Sequence, residues 1–245
     1  MKKTTRNILI ISACCMGAGI LAAAAGIAAG GWFGVQITRD GIRPASSETR
    51  PYILKKTKLD DFSSIKIDIT SEADIEFLPS EDGSAYLEYT LDGTGAEPLW
   101  GVSGDTLTVT QKGILSGGIF LDIGSLSTFS DSVVRLYLPE GTDCSDVEIR
   151  SDFGSMDISS FTADTLTLNL GYGDLDMKNI HTGKADIYLD FGNLDMEDIT
   201  ADTSEIGLDY GNLSVKGCSF TDTEITAASG SIETQDTAIG TLVLT

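Results

Sequence analysis

The chain has 245 residues, with 37 Asp and Glu against 16 Lys and Arg, a formal charge of −21 and a single histidine. This acidity argues against a nucleic-acid-binding protein, because phosphate backbones are bound by basic surfaces. The length fits one or two domains, and the sequence contains no cluster of Cys and His with the spacing of a zinc site.

The amino-terminal segment has the pattern of a membrane anchor. A short tail, residues 1–7, precedes an apolar run over residues 8–37, which exceeds the roughly 20 residues that a helix needs to span a bilayer. Because Lys2, Lys3 and Arg6 precede the run, the positive-inside rule places the tail in the cytoplasm. We therefore predict a single-pass plasma-membrane protein with a cytoplasmic amino terminus and an extracellular carboxy-terminal domain.

Two other interpretations of this segment stay open. Residues 22–24 are three alanines, which offer small side chains to a signal peptidase and would make the segment a cleaved signal peptide. Residues 11–14, Ile-Ser-Ala-Cys, resemble a lipobox. In an uncleaved anchor, Gly26, Gly30 and Gly34 have the GxxxG spacing that lets helices approach closely in lipid, so the anchor is also a candidate for self-association.

The residues after the anchor form two parts of different composition, which meet at about residue 58. Residues 38–58 hold Gly, Pro, Ser and several basic side chains, which favours a linker that is either solvated or in contact with anionic headgroups. Residues 59–140 carry short runs that alternate apolar and polar side chains, separated by turn signals. We predict an irregular β-structure there and, because no amphipathic helix pattern occurs outside the anchor, an all-β ectodomain.

Residues 141–245 repeat with a period of 19. Apolar residues stand two and four positions after a repeated glycine, and the positions between them are mostly polar. Alternation with period two indicates β-strands, and a fixed short period indicates stacked units. We predict a β-solenoid whose 19-residue coils stack about 4.8 Å apart, with each glycine at a corner where positive φ or close backbone contact excludes a side chain. The repeated glycines are Gly154, Gly173, Gly192, Gly211 and Gly230.

Two further features of the repeat concern its edges and its thiols. Residues 242–245 begin another coil without finishing it, which predicts an open strand edge that pairs with another chain. Cys144 and Cys218 are nearly four coils apart, roughly 19 Å, which is too far for a disulfide. We expect Cys218 to be a small core residue, since it occupies an apolar column.

An aromatic residue precedes four of the repeated glycines. The regular spacing favours a stacked spine that packs beside the corner, and an exposed platform for sugars is the alternative. The four residues are Phe153, Tyr172, Phe191 and Tyr210.

A second column holds carboxylates three positions after the glycine, at Asp157, Asp176 and Asp195. Side chains about 5 Å apart repel each other when ionised, so the column suits a solvated acidic face. Calcium bridging between coils is the alternative, because hard cations bind several carboxylate oxygens. These three residues are the candidate metal ligands, and no other cofactor is expected.

The sequence predicts no catalytic site. The acids recur as a repeat and form no single cluster, and coils of 19 residues leave no long loops from which a cleft is usually built. The lone histidine, His181, has no Ser or Cys nucleophile motif near it. We therefore expect a protein that binds and is not an enzyme.

The order of these motifs resembles a known family. A basic anchor, an Ile-x-Ile-x-Ile strand at residues 65–69, a strand that ends in Leu138-Pro139 and the Gly-[Asp/Asn/Ser]-Leu repeats are similar to DUF4097, a family of β-strand-repeat surface proteins labelled "putative adhesin" and common in Gram-positive bacteria. The resemblance covers about residues 60–245. It implies a β-solenoid at the cell surface and no established activity, and some relatives are associated with the envelope stress response.

We therefore predict a membrane-anchored, extracellular β-solenoid that acts as a non-catalytic binding or scaffold protein at the cell envelope. One version of this role is envelope-stress sensing through a membrane or envelope protein partner. The alternative is an adhesin that binds glycans or proteins of a host or a neighbouring cell.

Overall fold

The computed structural model describes residues 50–93, 95–113 and 132–244, together with residues 12, 16–19, 22, 35–38, 41–44 and 122–123. Residues 12, 16–19 and 22 are helical. Among all of these residues, no helix is long and apolar enough to cross a membrane. The predicted cytoplasmic tail, most of the predicted anchor and its glycine stripe lie outside the described residues.

The described residues form eighteen strands. In chain order they are β1 (Val35–Thr38), β2 (Gly41–Pro44), β3 (Tyr52–Lys58), β4 (Ser64–Glu72), β5 (Asp74–Pro79), β6 (Tyr86–Leu91), β7 (Leu99–Ser103), β8 (Thr106–Gln111), β9 (Asp122–Ile123), β10 (Val133–Leu138), β11 (Thr142–Phe153), β12 (Met156–Tyr172), β13 (Leu175–Phe191), β14 (Leu194–Tyr210), β15 (Leu213–Lys216), β16 (Ser219–Ser229), β17 (Ile232–Gln235) and β18 (Ala238–Leu244).

The chain divides into two compact units. The first comprises residues 1–48 and 117–128, and its described strands form a small antiparallel sheet in the order β2-β1-β9. The second comprises residues 49–116 and 129–245 and contains the repeats. All of the remaining strands belong to this second unit.

The repeats form the predicted solenoid. In β12, β13 and β14 each coil is one bent strand of 17 residues. Neighbouring coils pair in parallel, and each residue pairs with the residue 19 positions further along the chain. Leu175 of β13, for example, pairs with Leu194, which pairs with Leu213, which pairs with Ile232. Because the coil length equals the sequence period, identical columns stack without a register shift, and the predicted all-β solenoid with 19-residue coils is confirmed.

The core is made of the apolar columns that the alternation predicts. Leu175, Leu194 and Leu213 are at most 1% exposed, and the neighbouring columns are buried in the same way. Burying a Leu or Ile side chain stabilises a fold by roughly 2 kcal/mol, so the stacked columns supply most of the favourable free energy of the array. In the last described coil the same column opens, and Ile232 is 39% exposed.

Each coil turns at two corners with left-handed backbone. The first is the predicted glycine corner, where φ is +144° at Gly173 and +147° at Gly192. A Cβ on Gly192 would overlap the carbonyl oxygen of Gly173 in the preceding coil, so both predicted reasons for glycine hold at once. The second corner was not predicted from the sequence. Its left-handed residues are again 19 positions apart, at Ser160, Asn179, Asp198, Gly217 and Asp236.

The amino-terminal strands continue the stack and then close it. Strand β4 pairs in parallel with both β11 and β8, and β5 pairs in parallel with β10. Antiparallel strands follow outside these, with β7 on β8 and β6 between β10 and β3. The described strands β4, β5, β8 and β10 thus run parallel to strands stacked on them, as in the repeats, and the antiparallel strands β3, β6 and β7 lie outside them.

The segment predicted as a linker, residues 38–58, contains strands β2 and β3. The sequence pattern missed β3 because three lysines interrupt its alternation. Tyr52 and Leu54 nevertheless pack against the core, and the ammonium of Lys56 lies 3.7 Å from the ring centre of Tyr137. A cation over an aromatic ring is attracted by the ring quadrupole, so this lysine takes part in holding the strand.

Two further predictions concern the cysteines and the last strand. Cys144 and Cys218 are both buried and free, and the burial of Cys218 agrees with its predicted place in the core. Within the described chain, β18 pairs with β16 alone, and Leu242, Val243 and Leu244 are exposed. That this edge pairs with another chain stays a prediction.

Candidate functional site

The aromatic column forms a continuous stack. The ring centres of Phe153 and Tyr172 are 5.4 Å apart, those of Tyr172 and Phe191 4.8 Å, and those of Phe191 and Tyr210 4.9 Å, with interplanar angles of 3° to 7°. The predicted spine is therefore present, but it lies on the surface: Tyr172 is 50% exposed, Phe191 41% and Tyr210 55%. The chain turns at the glycine that follows, so the alternation no longer directs these side chains into the core.

The stacking geometry decides what this column can contact. Both faces of Tyr172 and of Phe191 are covered by neighbouring rings, which leaves their edges for a partner. Sugars stack on ring faces, so the inner rings do not form the platform that was the alternative prediction. The stack ends at Tyr210, because Ser229 occupies the position in the next coil.

A polar sheet surface borders the aromatic stack. We call it the acidic face and define it by residues 148–152 of β11, 167–171 of β12, 186–190 of β13 and 205–209 of β14. Its residues alternate between buried apolar or small side chains and outward polar ones. The outward carboxylates are Glu148, Asp152, Asp186, Asp190, Glu205 and Asp209.

The charge of the acidic face is poorly compensated. Its one basic side chain, Arg150, lies 3.2 Å from a carboxylate oxygen of Asp152. At its borders Lys184 lies 2.6 Å from Asp186 and Lys66 lies 2.5 Å from Glu148, so three cations face six carboxylates. Exposed ion pairs of this kind contribute little to stability and exchange readily with other partners. The surplus of carboxylates creates a negative potential that repels anions and admits neutral or cationic groups.

Tyr188 lies near the centre of the acidic face. Its ring leans over Gly207 of the next coil, where an added Cβ would be 2.7 Å from the ring carbon Cδ1. The residue is 37% exposed. A hydrogen bond to Glu205, followed by burial, raises the pKa of Tyr188 to about 12, so the hydroxyl stays protonated. The ring is therefore held against the sheet at both its middle and its tip.

A recess of about 420 Å³ opens beside this tyrosine, lined among others by Arg150, Asn169, Gly171, Tyr188 and Asp190. Gly171 leaves the space open because it has no side chain between Asp152 and Asp190. A Cβ at residue 171 would lie 2.7 Å from the carbonyl oxygen of Asp152, so no larger residue fits without a backbone shift. We call this space the recess. Sequence analysis missed it because it depends on residues of single coils and not on a column.

The predicted metal ligands are brought into register, one in each coil. Asp157 pairs with Asp176 and Asp176 with Asp195, and all three side chains are exposed. Burial, and then the charges of Asp195 and Asp157, raise the pKa of Asp176. In the part of the chain that the structure describes, no group of three or more His, Cys, Asp or Glu residues could hold a metal ion. Calcium bridging stays a prediction without support from this geometry.

The fold and the surface together define an all-β solenoid with one exposed aromatic and acidic side. The chain belongs to the Toastrack DUF4097 family, whose model matches residues 62–244. The family resemblance predicted from the sequence is thereby confirmed. No curated protein matches the sequence.

Several solved structures are similar to the chain. A "putative adhesin" from Bacteroides fragilis NCTC 9343 shares 12% identity over 81% of this chain and 99% of its own, with a TM-score of 0.33. A "putative adhesin" from Parabacteroides distasonis ATCC 8503 shares 14% identity over 79% and 96%, with a TM-score of 0.38. A "putative lipid binding protein" from the same strain shares 16% identity over 80% and 97%, with a TM-score of 0.30. Sequence identities of 12% to 16% with TM-scores below 0.4 do not indicate which ligand this chain binds.

Proposed function

We propose that this chain is a non-catalytic binding protein of the cell envelope and that it binds through the aromatic stack and the acidic face. One observation carries the proposal: three stacked rings are 41% to 55% exposed in a single line on the surface. Contiguous exposed apolar groups bordered by polar residues are typical of interaction sites. The rings sit on a sheet that is held by backbone hydrogen bonds in every coil, so a partner meets a surface that is already ordered.

The shape of the coils supports a binding role over a catalytic one. The glycine corners leave only residues 173–174 and 192–193 between consecutive 17-residue strands. Corners this short cannot fold over a substrate and exclude water, which most catalytic sites require. Surface recognition needs no such enclosure.

The amino-terminal sequence supports a location at the cell envelope. The apolar run of residues 8–37 and the basic residues before it favour a single-pass anchor with the solenoid outside the cell. A scaffold or stress sensor would then use the exposed side on a component of its own envelope, together with a membrane partner. An adhesin would use the same side on another cell.

Photocrosslinking on intact cells tests the proposal. A benzoylphenylalanine replaces Phe191 in the full chain, which keeps an aromatic ring in the stack, and the matched control places the same group at Lys178. Lys178 is also exposed, but it lies after the glycine corner and pairs with Glu197 at 2.7 Å. We expect covalent adducts from position 191 that position 178 does not give, identified by mass spectrometry.

The identity of the adduct separates the two roles. An envelope component of the same cell supports the scaffold or sensing role, and material from added host or neighbouring cells supports adhesion. Absence of adducts at position 191 with both kinds of cells, or equal adducts at both positions, would overturn the proposal that this side binds.

A further inference from the structure

We infer that the recess beside Tyr188 is a binding subsite for one unit of an uncharged glycan, an inference that rests on the proposed binding function of this side. The recess combines an aromatic ring that is not part of the stack with planar polar groups on three neighbouring coils. Sugars present an apolar C–H face and a rim of hydroxyl groups, and both parts find a counterpart here.

The ring of Tyr188 is placed differently from the stacked rings. It lies against the backbone of Gly207, and the three atoms nearest to an added Cβ at that glycine all belong to the Tyr188 ring. Gly207 has no positive φ, so the backbone conformation does not require glycine there. Glycine within a strand weakens it, and close approach of another group is one physical reason for its presence. The glycine thus seats a ring whose remaining 37% exposed surface faces solvent.

The polar groups around the recess suit hydroxyl groups. The Asn169 amide offers both donors and an acceptor, the Asp190 carboxylate accepts, and the Arg150 guanidinium donates. Arg150 and Asp152 already form one pair, with side chains 59% and 34% exposed, so a ligand can share their hydrogen bonds without separating a buried ion pair. Planar side chains with two parallel donors or acceptors can engage two adjacent hydroxyl groups at once.

Charge narrows the class of glycan. Three carboxylates, those of Asp152, Asp190 and Glu148, line the recess together with the guanidinium of Arg150. Lys66 pairs with Glu148 at 2.5 Å, so one negative charge is left in excess. Sulfated, phosphorylated or carboxylated sugars would be repelled by this surplus of negative charge. The uncharged hexoses and N-acetylhexosamines remain as the class that the recess accepts.

The test is binding of the full chain to an array of oligosaccharides built from glucose, galactose, mannose and N-acetylglucosamine, with heparan sulfate as the anionic counterpart. We expect binding to at least one uncharged oligosaccharide and none to heparan sulfate. For that oligosaccharide, we expect Tyr188→Ala to weaken the affinity about tenfold or more, because the ring contact is lost.

Three further variants locate the site. Tyr188→Phe keeps the ring and should bind within about threefold of the natural protein, a difference of less than 1 kcal/mol. Gly207→Val would displace the ring, so it should weaken binding as Tyr188→Ala does. Lys178→Ala changes an exposed residue outside both the recess and the stack, so it should retain glycan binding. Melting curves of each variant check that it folds.

The outcomes distinguish this inference from the proposed function. If no uncharged oligosaccharide binds, or if Tyr188→Ala and Gly207→Val fold and bind unchanged, the inference is overturned. Selective crosslinking at position 191 would still support the wider binding role in that case. Preferred binding of heparan sulfate would overturn the charge argument and the inference together.

Discussion

The carbonyl oxygen of Gly173 occupies the space into which a side chain at Gly192 would project. The same relationship recurs between Gly192 and Gly211 and between Gly211 and Gly230. Each glycine also has a φ between +143° and +152°, a region that side chains rarely adopt. The glycine column is therefore fixed by two independent constraints, the backbone conformation and the distance between coils.

These constraints predict that Gly192→Ala strongly destabilises the fold. We expect a loss of about 3 kcal/mol or more in the free energy of unfolding, because strain and overlap add. Urea denaturation measures the loss. Gly83→Ala is the matched control for conformation alone, since Gly83 has φ +74° and open space around it, and should lose about 1 kcal/mol. A loss at Gly192 no larger than at Gly83 would show that coil stacking imposes no constraint.

The second left-handed corner of each coil could not be predicted from the sequence in the way that the glycine corner was. The glycine column was visible because one residue type recurs. The second left-handed corner uses Ser160, Asn179, Asp198, Gly217 and Asp236, which differ in chemistry and share only a tolerance for positive φ. Asn, Asp and Gly adopt this conformation most readily, so a column of such residues was the signal that could have revealed the corner.

At the second corner, we expect alanine to lower the free energy of unfolding and glycine to leave it almost unchanged. Asn179 has φ +52°, so Asn179→Ala should cost about 1 kcal/mol, since alanine lacks the local hydrogen bonds that favour this conformation. Asn179→Gly should change stability by less than about 0.5 kcal/mol, because Gly217 already occupies the corner two coils later. Urea denaturation measures both. Equal losses for the two variants would show that the side chain of Asn179, and not its backbone, is what the corner requires.

The candidate site was only partly predictable for a similar reason. The aromatic column follows from the period, but its exposure depends on the turn at the next glycine. Tyr188 and Gly207 are 19 positions apart, so the register alone placed the ring beside the glycine. The contact between the two residues could not be predicted from the repeat, because neither residue type recurs at the same position in the other coils. Gly171 was missed in the same way.

The turn after each glycine contains a ladder of polar side chains. The Oδ1 atom of Asp174 accepts hydrogen bonds from the backbone N–H and the side-chain amide of Asn193, at 2.8 and 3.0 Å. Oδ1 of Asn193 in turn accepts from the backbone and side chain of Asn212, at 3.2 and 3.0 Å. Backbone groups at the corner thus find partners that the strands do not supply.

This ladder predicts that Asn193→Ala loosens the corner. The variant loses the amide donor to Asp174 and the acceptor for Asn212, and we expect a loss of about 1 to 2 kcal/mol in the free energy of unfolding. Thr200→Ala, at an exposed strand position that pairs with His181 and Ser219, is the control and should stay within about 0.5 kcal/mol. Hydrogen exchange at the amide of residue 212 should accelerate in Asn193→Ala alone. Unchanged exchange would mean that the ladder does not hold the corner.

The carboxylate column predicts a stability that depends on pH. Burial and the neighbouring Asp195 and Asp157 raise the pKa of Asp176 in the folded state. The folded protein therefore holds this proton more tightly than the unfolded chain does, and stability falls as pH rises from the unfolded pKa, about 3.9, through the folded one. Asp176→Asn removes the penalty. At pH 7 the variant should be more stable by roughly 0.5 kcal/mol, a small gain because the carboxylate is exposed.

The gain should shrink as pH falls and vanish about one unit below the unfolded pKa, near pH 3, where the natural carboxylate is protonated in both states. Urea midpoints from pH 7 to about pH 3 measure it. Asp164→Asn is the control, because its neighbour in the next coil is Gly183 and it lacks a carboxylate there. The same titration with millimolar calcium tests the bridging hypothesis: calcium that stabilised the natural protein and not Asp176→Asn would support it. A gain in Asp176→Asn that persisted unchanged at about pH 3 would contradict repulsion within the column as its cause.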